Sequence, residues 1–279
     1  MNHEELKSID TKSSLNKKMR IAFRHWIIDK ENLSNEIKLI CHGLGGHSYS
    51  VTVKPIIEMS LNDNFDVLSI DWPGHGCSSL CFQEKPKLED MGIALDEIVN
   101  YLKNKGYKKI HIIGHSMGSL FAIYWGLREK SDISLVYKLT AMNPGFHKLS
   151  FLDEYIIRFI SKTPLQYAHS VLSHSLEWTD DIHMVCKRFE DPLELKYIND
   201  SLLVPLLDAN KYILSNFQNQ RINTELIWSE NDPLINNISI EKLLTHDKYF
   251  KKYKFSAVYH ELCTTRICGK QICQAVFNI

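Results

Sequence analysis

A serine, an aspartate and a histidine stand in this sequence in an order that suits nucleophilic catalysis. Ser116 lies in the segment IIGHSMGS, which has G-x-S-x-G spacing and continues a run of β-formers. Asp232 lies in WSENDP and His260 in YHEL, and each of these segments follows an apolar run. A serine hydroxyl becomes a nucleophile when a histidine takes its proton and a carboxylate orients that histidine. In the nucleophile-elbow arrangement the three side chains follow each other in this chain order.

The serine motif alone is compatible with two interpretations. In the first, Ser116 is an ordinary N-cap of the helix predicted over 117–129. In the second, it occupies a tight strand-to-helix turn, where its hydroxyl is exposed above the sheet and the flanking glycines prevent clashes. The strand predicted at 109–113 and the helix that follows the motif favour the second interpretation.

The acid and the base both have competitors in the sequence. Asp232 precedes a proline, which favours a turn, and this placement makes it a better candidate than Glu230. An Asp-Pro pair is also a common way to start a turn that carries no chemistry. His260 directly follows the strand predicted at 254–259, whereas His246 falls inside the helix predicted near 238–248.

The segment HGLGGHS at 42–48 is a candidate for a second part of the site. Acyl transfer needs hydrogen-bond donors where the oxyanion develops. We expect one from the N–H of Met117, next after the serine, and the other from the N–H of Leu44. The glycines would let the backbone approach a substrate closely, although a plain glycine-rich turn is the alternative. The segment does not have the G-x-x-x-x-G-K-[ST] or G-x-G-x-x-G spacing of phosphate-binding loops.

The elements that must position these residues follow a strand–turn–helix order. Short apolar runs typical of buried parallel strands occur at 37–41, 65–70, 109–113, 135–141 and 224–228. Apolar residues at helical spacing cover 88–105, and Gly106 suits the position after the helix end. This order predicts an α/β sheet of mostly parallel strands with crossover helices, and 20–29 as an edge strand.

The pattern divides the chain into three parts. Residues 1–19 are predicted to be a polar leader, mobile or loosely docked. The strand–helix alternation assigns 20–144 and 206–279 to the core. It breaks at 145–205, which is helix-like and rich in histidine and aromatic residues, and we predict a helical cap inserted there.

Composition excludes several classes of function. The chain has 279 residues, 44% hydrophobic and 24% charged, with 33 basic and 33 acidic side chains. A zero net charge gives no support to a nucleic-acid partner or to a general attraction to anionic membranes. The N-terminus has no apolar signal region, and no apolar run is long enough to span a membrane. Seven cysteines with no C-x-x-C pair favour a cytoplasmic protein with free thiols.

Together these segments make the chain resemble the serine-hydrolase branch of the α/β-hydrolase superfamily. It is most similar to the monoacylglycerol lipase and lysophospholipase-like group, also called the serine aminopeptidase-like hydrolases. The resemblance covers roughly 20–262 and rests on HGLGGHS (42–48), DWPGHGCSS (71–79), GHSMGS (114–119), SENDP (229–233) and YHEL (259–262). It implies a catalytic triad of Ser116, Asp232 and His260, with Leu44 and Met117 as oxyanion donors. It implies a helical cap over the site and no metal or organic cofactor.

The resemblance also implies a substrate. It points to hydrolysis of carboxylic esters of lipid-like molecules, of the monoacylglycerol or lysophospholipid type, through an acyl-enzyme on Ser116. Apolar cap residues could line an acyl pocket, although they could equally be the packing core of a cap helix; they are Phe151, Leu152, Tyr155, Ile156, Phe159 and Ile160. Transient contact of the cap with a lipid surface is compatible with this function. The alternatives are another acyl or amide substrate, such as a peptide, and a catalytically silent binding module.

Three positions depart from the family pattern. Ser119 stands where the family often has glycine, and Gly46 where it frequently has an acidic residue. Residues 263–279, CTTRICGKQICQAVFNI, contain no Asp or Glu, whereas the family usually continues with an acidic turn and an amphipathic helix. We hypothesise a shifted reading frame or a truncation there. Coding DNA in which no other frame encodes such a helix would contradict this.

Overall fold

A central sheet of eight strands organises the chain, and it is mostly parallel. The computed structural model describes residues 3–29, 31, 34–80, 85–163, 168–170, 179–246, 248–256 and 259–261. The sheet strands are β1 (His3–Lys12), β2 (Lys18–Ile27), β3 (Glu36–Cys41), β4 (Asp66–Ile70), β5 (Lys109–His115), β6 (Val136–Met142), β9 (Thr224–Ser229) and β10 (Phe250–Phe255). Two short strands, β7 (Ala168–Ser170) and β8 (Tyr197–Asn199), pair separately.

The strand order places the chemistry-bearing loops at one edge of the sheet. The order is β1-β2-β4-β3-β5-β6-β9-β10. All pairs from β4 to β10 are parallel, and β1 and β2 join at one side as antiparallel strands. The carboxyl ends of β3, β5 and β9 therefore lie on the same side, where α/β folds form their binding sites.

Helices cover both faces of this sheet. They are α1 (Lys54–Asn62), α2 (Leu88–Lys105), α3 (Met117–Leu127), α4 (Phe151–Ile160), α5 (Ile182–Glu190), α6 (Asp200–Asn216) and α7 (Asn237–Leu244). Because strand side chains alternate between the faces, Leu39 and Ile112 pack with α2, α3, α6 and α7, while Ile40 and Ile113 pack with α1. None of the described helices is long and apolar enough to span a membrane.

Helix α3, which follows the serine motif, lies at the centre of the larger cluster. Every one of its residues is buried. It packs against the sheet and against α2 and α6. Such complete burial requires a helix that is apolar on all sides, and MGSLFAIYWGL meets that requirement. The start of α3, next to Ser116, is therefore held rigidly.

Several sequence-based boundaries are corrected by the structure. Residues 3–12 form β1, paired with β2 from His3↔Ile27 to Lys12↔Lys18, so this part of the predicted leader belongs to the sheet. The predicted edge strand, now β2, is accordingly second from the edge. Polar side chains suit β1 because an edge strand with an open face needs few apolar residues.

Two further boundaries shift near the cap and the base. The predicted end of the cap at 205 falls inside α6, a helix that packs on α3 and so belongs partly to the core. The strand predicted at 254–259 is β10, which already ends at Phe255, so His260 follows it at a distance of five residues. The hypothesis about residues 263–279 lies outside the described residues.

Candidate active site

Ser116 occupies a sharp turn between β5 and α3. Its φ of 50° and ψ of −117° are rare for a residue with a side chain and cost about 1–3 kcal/mol. The turn is tied to the end of β6, because the Ser116 N–H donates to the Met142 carbonyl at 2.9 Å and the Gly145 N–H donates to the Ser116 carbonyl at 3.1 Å. Such strain persists only where the surroundings enforce it, and it is typical of functional positions.

The glycine at 118 is required by close packing. A Cβ there would lie 2.3 Å from the carbonyl oxygen of Cys41 and 2.6 Å from that of His42. The departure at Ser119 is accommodated, since its hydroxyl donates to the Met142 carbonyl at 3.1 Å. The start of α3 thus lies directly against the end of β3.

Three buried side chains form a hydrogen-bonded relay that begins at Ser116. His260 Nε2 lies 2.8 Å from Ser116 Oγ, and His260 Nδ1 lies 2.6 Å from Asp232 Oδ2. When the proton of the neutral ring is on Nδ1, this N–H donates a hydrogen bond to the carboxylate. Nε2 then has a free lone pair and can accept the serine proton. The structure therefore brings together the three residues that the sequence predicted, although they are as many as 144 positions apart.

The charges of this relay support proton transfer. Burial lowers the pKa of His260, but the nearby Asp232 charge and its hydrogen bond outweigh burial and hold the pKa above its ordinary value. Burial raises the pKa of Asp232, but His260 and the Leu234 N–H, which donates at 2.8 Å, bring it below its ordinary value. Asp232 is thus a stable carboxylate, and His260 readily gains a proton.

The competing acid and base lie elsewhere. Glu230 points to the surface, where its carboxylate pairs with Lys254 Nζ at 2.6 Å. His246 follows α7 and packs between the rings of Phe217 and Phe250. Neither side chain lines the cavity that contains Ser116.

The loop at 42–48 approaches Ser116 from β3. A Cβ on Gly43 would lie 3.0 Å from His115 Nδ1, which is a tight contact, and 3.4 Å from the Cβ of Ser116, so the loop passes close to both residues. Among the described residues, no acceptor is present for the Leu44 N–H. Met117 is the first residue of α3, and its N–H has no acceptor within the helix. Both predicted donors thus belong to segments that border the serine.

The cap holds this loop in place. The Leu195 N–H donates to the Gly45 carbonyl at 2.8 Å. His47 Nε2 lies 2.8 Å from the carboxylate of Asp191. The chain after α5 therefore docks directly on the segment that carries Leu44, and cap position and loop position are coupled.

Two adjoining cavities open at the site. The smaller, of about 60 Å³, is bordered by Ser116, His260, Gly43, Leu44, Gly46, Thr52, His115, His147, Arg188, Leu234 and Glu261. The larger, of about 460 Å³, is mostly apolar and is bordered by Leu44, His147, Lys148, Leu149, Asp153, Ile156, Ile157, Ile198, Leu203, Leu206, Leu207, Pro233 and Leu234. Leu44, His147 and Leu234 border both, so an apolar chain in the larger cavity would end near the serine.

The aromatic residues expected to line the acyl pocket do not line it. Phe151, Tyr155 and Phe159 are 87%, 60% and 61% exposed. They follow one another every four residues and share the outer face of α4, whereas Ile156 and Ile157 border the cavity. Of the cap residues named from the sequence, Ile156 borders the cavity, whereas the three aromatic residues do not.

Two residues of the site were missed by the sequence analysis. The Asn143 side-chain amide donates to the His260 carbonyl at 2.6 Å, and His147 borders both cavities. An Asn-Pro pair at the carboxyl end of β6 is a signal that could have drawn attention to Asn143. For His147 the sequence carries no comparable signal.

The fold and the relay define the class of protein, an α/β-hydrolase with a serine at its nucleophile elbow. Residues 34–265 match the family described as serine aminopeptidase, S33, and the chain belongs to that family. A comparison with curated protein sequences gives no significant match.

Solved structures share the fold at low sequence identity. The monoacylglycerol lipase of Paleococcus ferrophilus has a TM-score of 0.75 at 19% identity, over 98% of this chain and 97% of that one. A soluble variant of the Saccharomyces cerevisiae monoglyceride lipase, in complex with a substrate analogue, has a TM-score of 0.76 at 14% identity, over 100% and 93%. The enol-lactonase of Burkholderia xenovorans LB400 has a TM-score of 0.71 at 13% identity, over 97% of this chain and 98% of that one. A shared fold does not select one substrate among these.

Proposed function

We propose that this chain hydrolyses carboxylic esters with an apolar acyl chain through an acyl-enzyme on Ser116. One observation carries the proposal: the Ser116–His260–Asp232 relay lies beside an apolar cavity of about 460 Å³. An apolar chain gains about 25 cal/mol for each Å² that it removes from water. Lipid-like esters, such as monoacylglycerols or lysophospholipids, combine such a chain with a polar alcohol.

The reaction begins with attack of Ser116 on the ester carbonyl. His260 Nε2 takes the serine proton as the carbon–oxygen bond forms, and Asp232 stabilises the resulting imidazolium. The N–H groups of Leu44 and Met117 stabilise the oxyanion. The intermediate then collapses, the ester C–O bond breaks, and the alcohol leaves with the proton from His260.

The second half of the reaction releases the acid. A water molecule attacks the acyl carbonyl and gives its proton to His260. The same two N–H groups stabilise the second oxyanion. The bond between the acyl carbon and Ser116 Oγ then breaks, and Oγ regains its proton from His260. No step requires a metal or an organic cofactor.

The exposed surface of the cap is consistent with a substrate that is delivered from a lipid surface. The outer face of α4 exposes Phe151, Leu152, Tyr155 and Phe159. Exposed apolar faces of this kind mark interaction sites, and an amphipathic helix can lie in a membrane interface. Sedimentation with phosphatidylcholine vesicles tests this part: Phe151→Ser with Phe159→Ser should weaken binding, and equal binding would contradict it.

A fluorophosphonate probe tests the nucleophile. We expect a single adduct on Ser116 by mass spectrometry and none on Ser116→Ala. A folded wild-type chain that does not react would contradict the proposal and favour a silent binding module.

Graded substrates test the reaction class. We expect p-nitrophenyl esters from acetate to dodecanoate to be hydrolysed, with a preference for chains long enough to enter the apolar cavity. Faster hydrolysis of amino-acid amides than of any ester would instead favour a peptide or amide substrate.

A further inference from the structure

A buried arginine connects the cap to the segment that carries the base. Arg188 lies on α5, and its Nε–H and Nη2–H groups donate to the same oxygen of Glu194, Oε2, at 3.3 and 3.1 Å. Its Nη1 atom lies 3.6 Å from Oε1 of Glu261, the residue next after His260. All three side chains of this group are at most 7% exposed. The contact with Glu194 fixes the guanidinium, and the contact with Glu261 joins it to the segment that carries His260.

The other oxygen of Glu261 lies beside the turn of the nucleophile. Glu261 Oε2 is 3.5 Å from Nε2 of His115, which ends β5 and precedes Ser116. The same Nε2 atom is 3.3 Å from the backbone carbonyl of His260. Burial lowers the pKa of His115, so its ring is neutral, and Nε2 carries the proton because both of these neighbours are acceptors. Glu261 therefore connects the cap arginine with the residue beside Ser116.

His260 needs such contacts because it lies outside the helices and strands. Strand β10 ends at Phe255, five residues earlier. A reactive side chain on a loop keeps its geometry only when packing and hydrogen bonds hold it there. The Asn143 amide fixes the backbone carbonyl of His260, and Arg188 contacts the side chain of the next residue. The core and the cap thus each provide a contact to this segment.

Neither stability nor substrate binding accounts well for the Arg188–Glu261 contact. Taking two charges out of water costs about as much free energy as their attraction returns, so a buried ion pair adds little net stability over apolar side chains of the same volume. Arg188 borders the small cavity, but Glu194 and Glu261 already flank its guanidinium, so it is a poor site for an anionic part of a substrate. A role in holding His260 fits both points.

We propose that Arg188 is a positioning residue that couples the cap to the base His260 through Glu261. The inference rests on the proposed function, in which His260 takes the proton of Ser116. The chain directly after α5 also docks on the loop that carries Leu44. A cap that is docked on the core therefore positions the base as well as one of the two oxyanion donors.

The charges around His260 give this role a signature in the pH profile. Burial lowers the pKa of His260, the carboxylates of Asp232 and Glu261 raise it, and Arg188 lowers it, with a raised value as the net result. Loss of Arg188 and loss of Glu261 should therefore move this pKa in opposite directions. A general loss of stability would not produce opposite shifts. The described titratable side chains around His260 are Asp232, Glu261, Arg188, His115 and His147.

The rate at which a fluorophosphonate labels Ser116 in the full chain, measured across the pH range in which His260 titrates, tests this role. We expect Arg188→Met to move the acidic limb of the profile to higher pH and to lower the limiting rate about tenfold, because the base is displaced from Ser116. Arg188→Lys keeps the charge, so the limb should stay in place with only part of the loss in rate. Glu261→Gln should move the limb to lower pH.

Arg158→Met is the matched control. Arg158 also lies on a cap helix, α4, and also pairs with two carboxylates, Glu154 at 2.9 Å and Asp208 at 2.6 Å, but it borders neither cavity. Its acidic limb and limiting rate should match those of the wild type.

An acidic limb that stays in place in both Arg188→Met and Glu261→Gln would overturn the inference, and so would an equal change in Arg158→Met. If Arg188→Met does not fold, Glu261→Gln decides the outcome, because its side chain has nearly the same shape as the original. A folded wild-type chain that does not react with the probe would instead overturn the proposed function itself, so the two failures are distinguishable.

Discussion

The side-chain amide of Asn143 donates a hydrogen bond to the backbone carbonyl of His260 across 2.6 Å. Its oxygen accepts the N–H of Ser229 at 2.9 Å. Asn143 is fully buried and has a φ of 37°, a left-handed conformation that asparagine tolerates better than most residues. Because Ser229 ends β9 just before Asp232, a single amide links the segment that carries Asp232 to the segment that carries His260.

Replacement of Asn143 by aspartate should impair turnover more than substrate binding. Asn143→Asp keeps the acceptor for Ser229 and replaces the donor to His260 with a carboxylate oxygen. We expect kcat to fall at least about tenfold, because a lost buried hydrogen bond is worth roughly 1–1.5 kcal/mol and displaces His260 from Ser116. Steady-state ester hydrolysis would separate kcat from KM, and a thermal unfolding scan would show that the chain is folded.

Asn64 provides the control for this substitution. It also has a left-handed backbone, with a φ of 60°, but lies exposed in a turn after α1. Asn64→Asp should leave kcat at the wild-type value. If Asn143→Asp lowered only the unfolding temperature and not kcat, its role would be structural and not one of positioning His260.

The pH profile should reflect the raised pKa of His260. The base must be neutral, so kcat/KM should rise with pH through an apparent pKa above the ordinary value of 6.5. Asp232→Asn removes the charge that raises this pKa and leaves burial, which lowers it. The acidic limb should then move to lower pH while kcat falls roughly 10³–10⁴-fold. An acidic limb that stays in place would show that another group controls it.

The pKa shifts of His260 and Asp232 have opposite signs, so they affect the pH dependence of stability in opposite directions. The raised pKa of His260 adds stability that is present below pH 6.5 and is lost as the pH rises through the higher folded value. The lowered pKa of Asp232 adds stability that is present above 3.8 and is lost as the pH falls through the lower folded value. Urea unfolding of Asp232→Asn against the wild type across this range would measure the contribution.

The packing of α3 against β3 should make Gly118 intolerant of any side chain. In Gly118→Ala the new Cβ meets backbone oxygens of Cys41 and His42, which cannot move without displacing the strand. We expect a loss of about 3 kcal/mol in the free energy of unfolding. Urea denaturation measures this loss. If the variant does not fold, a lower yield of soluble protein than for the wild type is the readout.

Gly126→Ala is the matched control in the same helix. Its Cβ would meet only the ends of two side chains, Gln220 Oε1 and Ile222 Cδ1, each at 3.0 Å. Alanine favours a helix over glycine by about 1 kcal/mol, so the net change should stay within about 1 kcal/mol. Similar losses in the two variants would refute the argument from close packing.

Acyl-chain preference should depend on the inner face of α4. Ile157→Trp adds bulk to the wall of the large cavity. We expect kcat/KM for a dodecanoyl ester to fall about tenfold or more relative to a butanoyl ester, because an overfilled pocket rejects the longer chain. Ile238→Trp makes the same exchange at a site that is 78% exposed on α7, and its chain-length profile should match the wild type. A uniform loss at all chain lengths in Ile157→Trp would argue against an acyl pocket.

The short-range signals of the sequence were sufficient to predict the strand–turn–helix at Ser116 and most of the sheet. The spacing around Ser116, between an apolar run and a helix, is local, and the helix at 88–105 with Gly106 after it lies where the pattern predicted. Asp232 and His260 were selected by their order after later strands. That selection works because parallel strands end at one edge of the sheet.

Longer-range choices were decided by tertiary structure. The polar residues of β1 form a strand only because β2 offers a free edge, and no local signal marks that pairing. The sequence showed that α4 is apolar on much of its surface, but α6 and β8, distant along the chain, decide that Ile157 borders the cavity and Phe151 does not. Asn143 contacts His260 and Ser229 only because the fold brings those distant segments to it. Hydrogen bonds and cavities of this kind depend on positions in space, whereas periodicity along a chain specifies only which residues share a face.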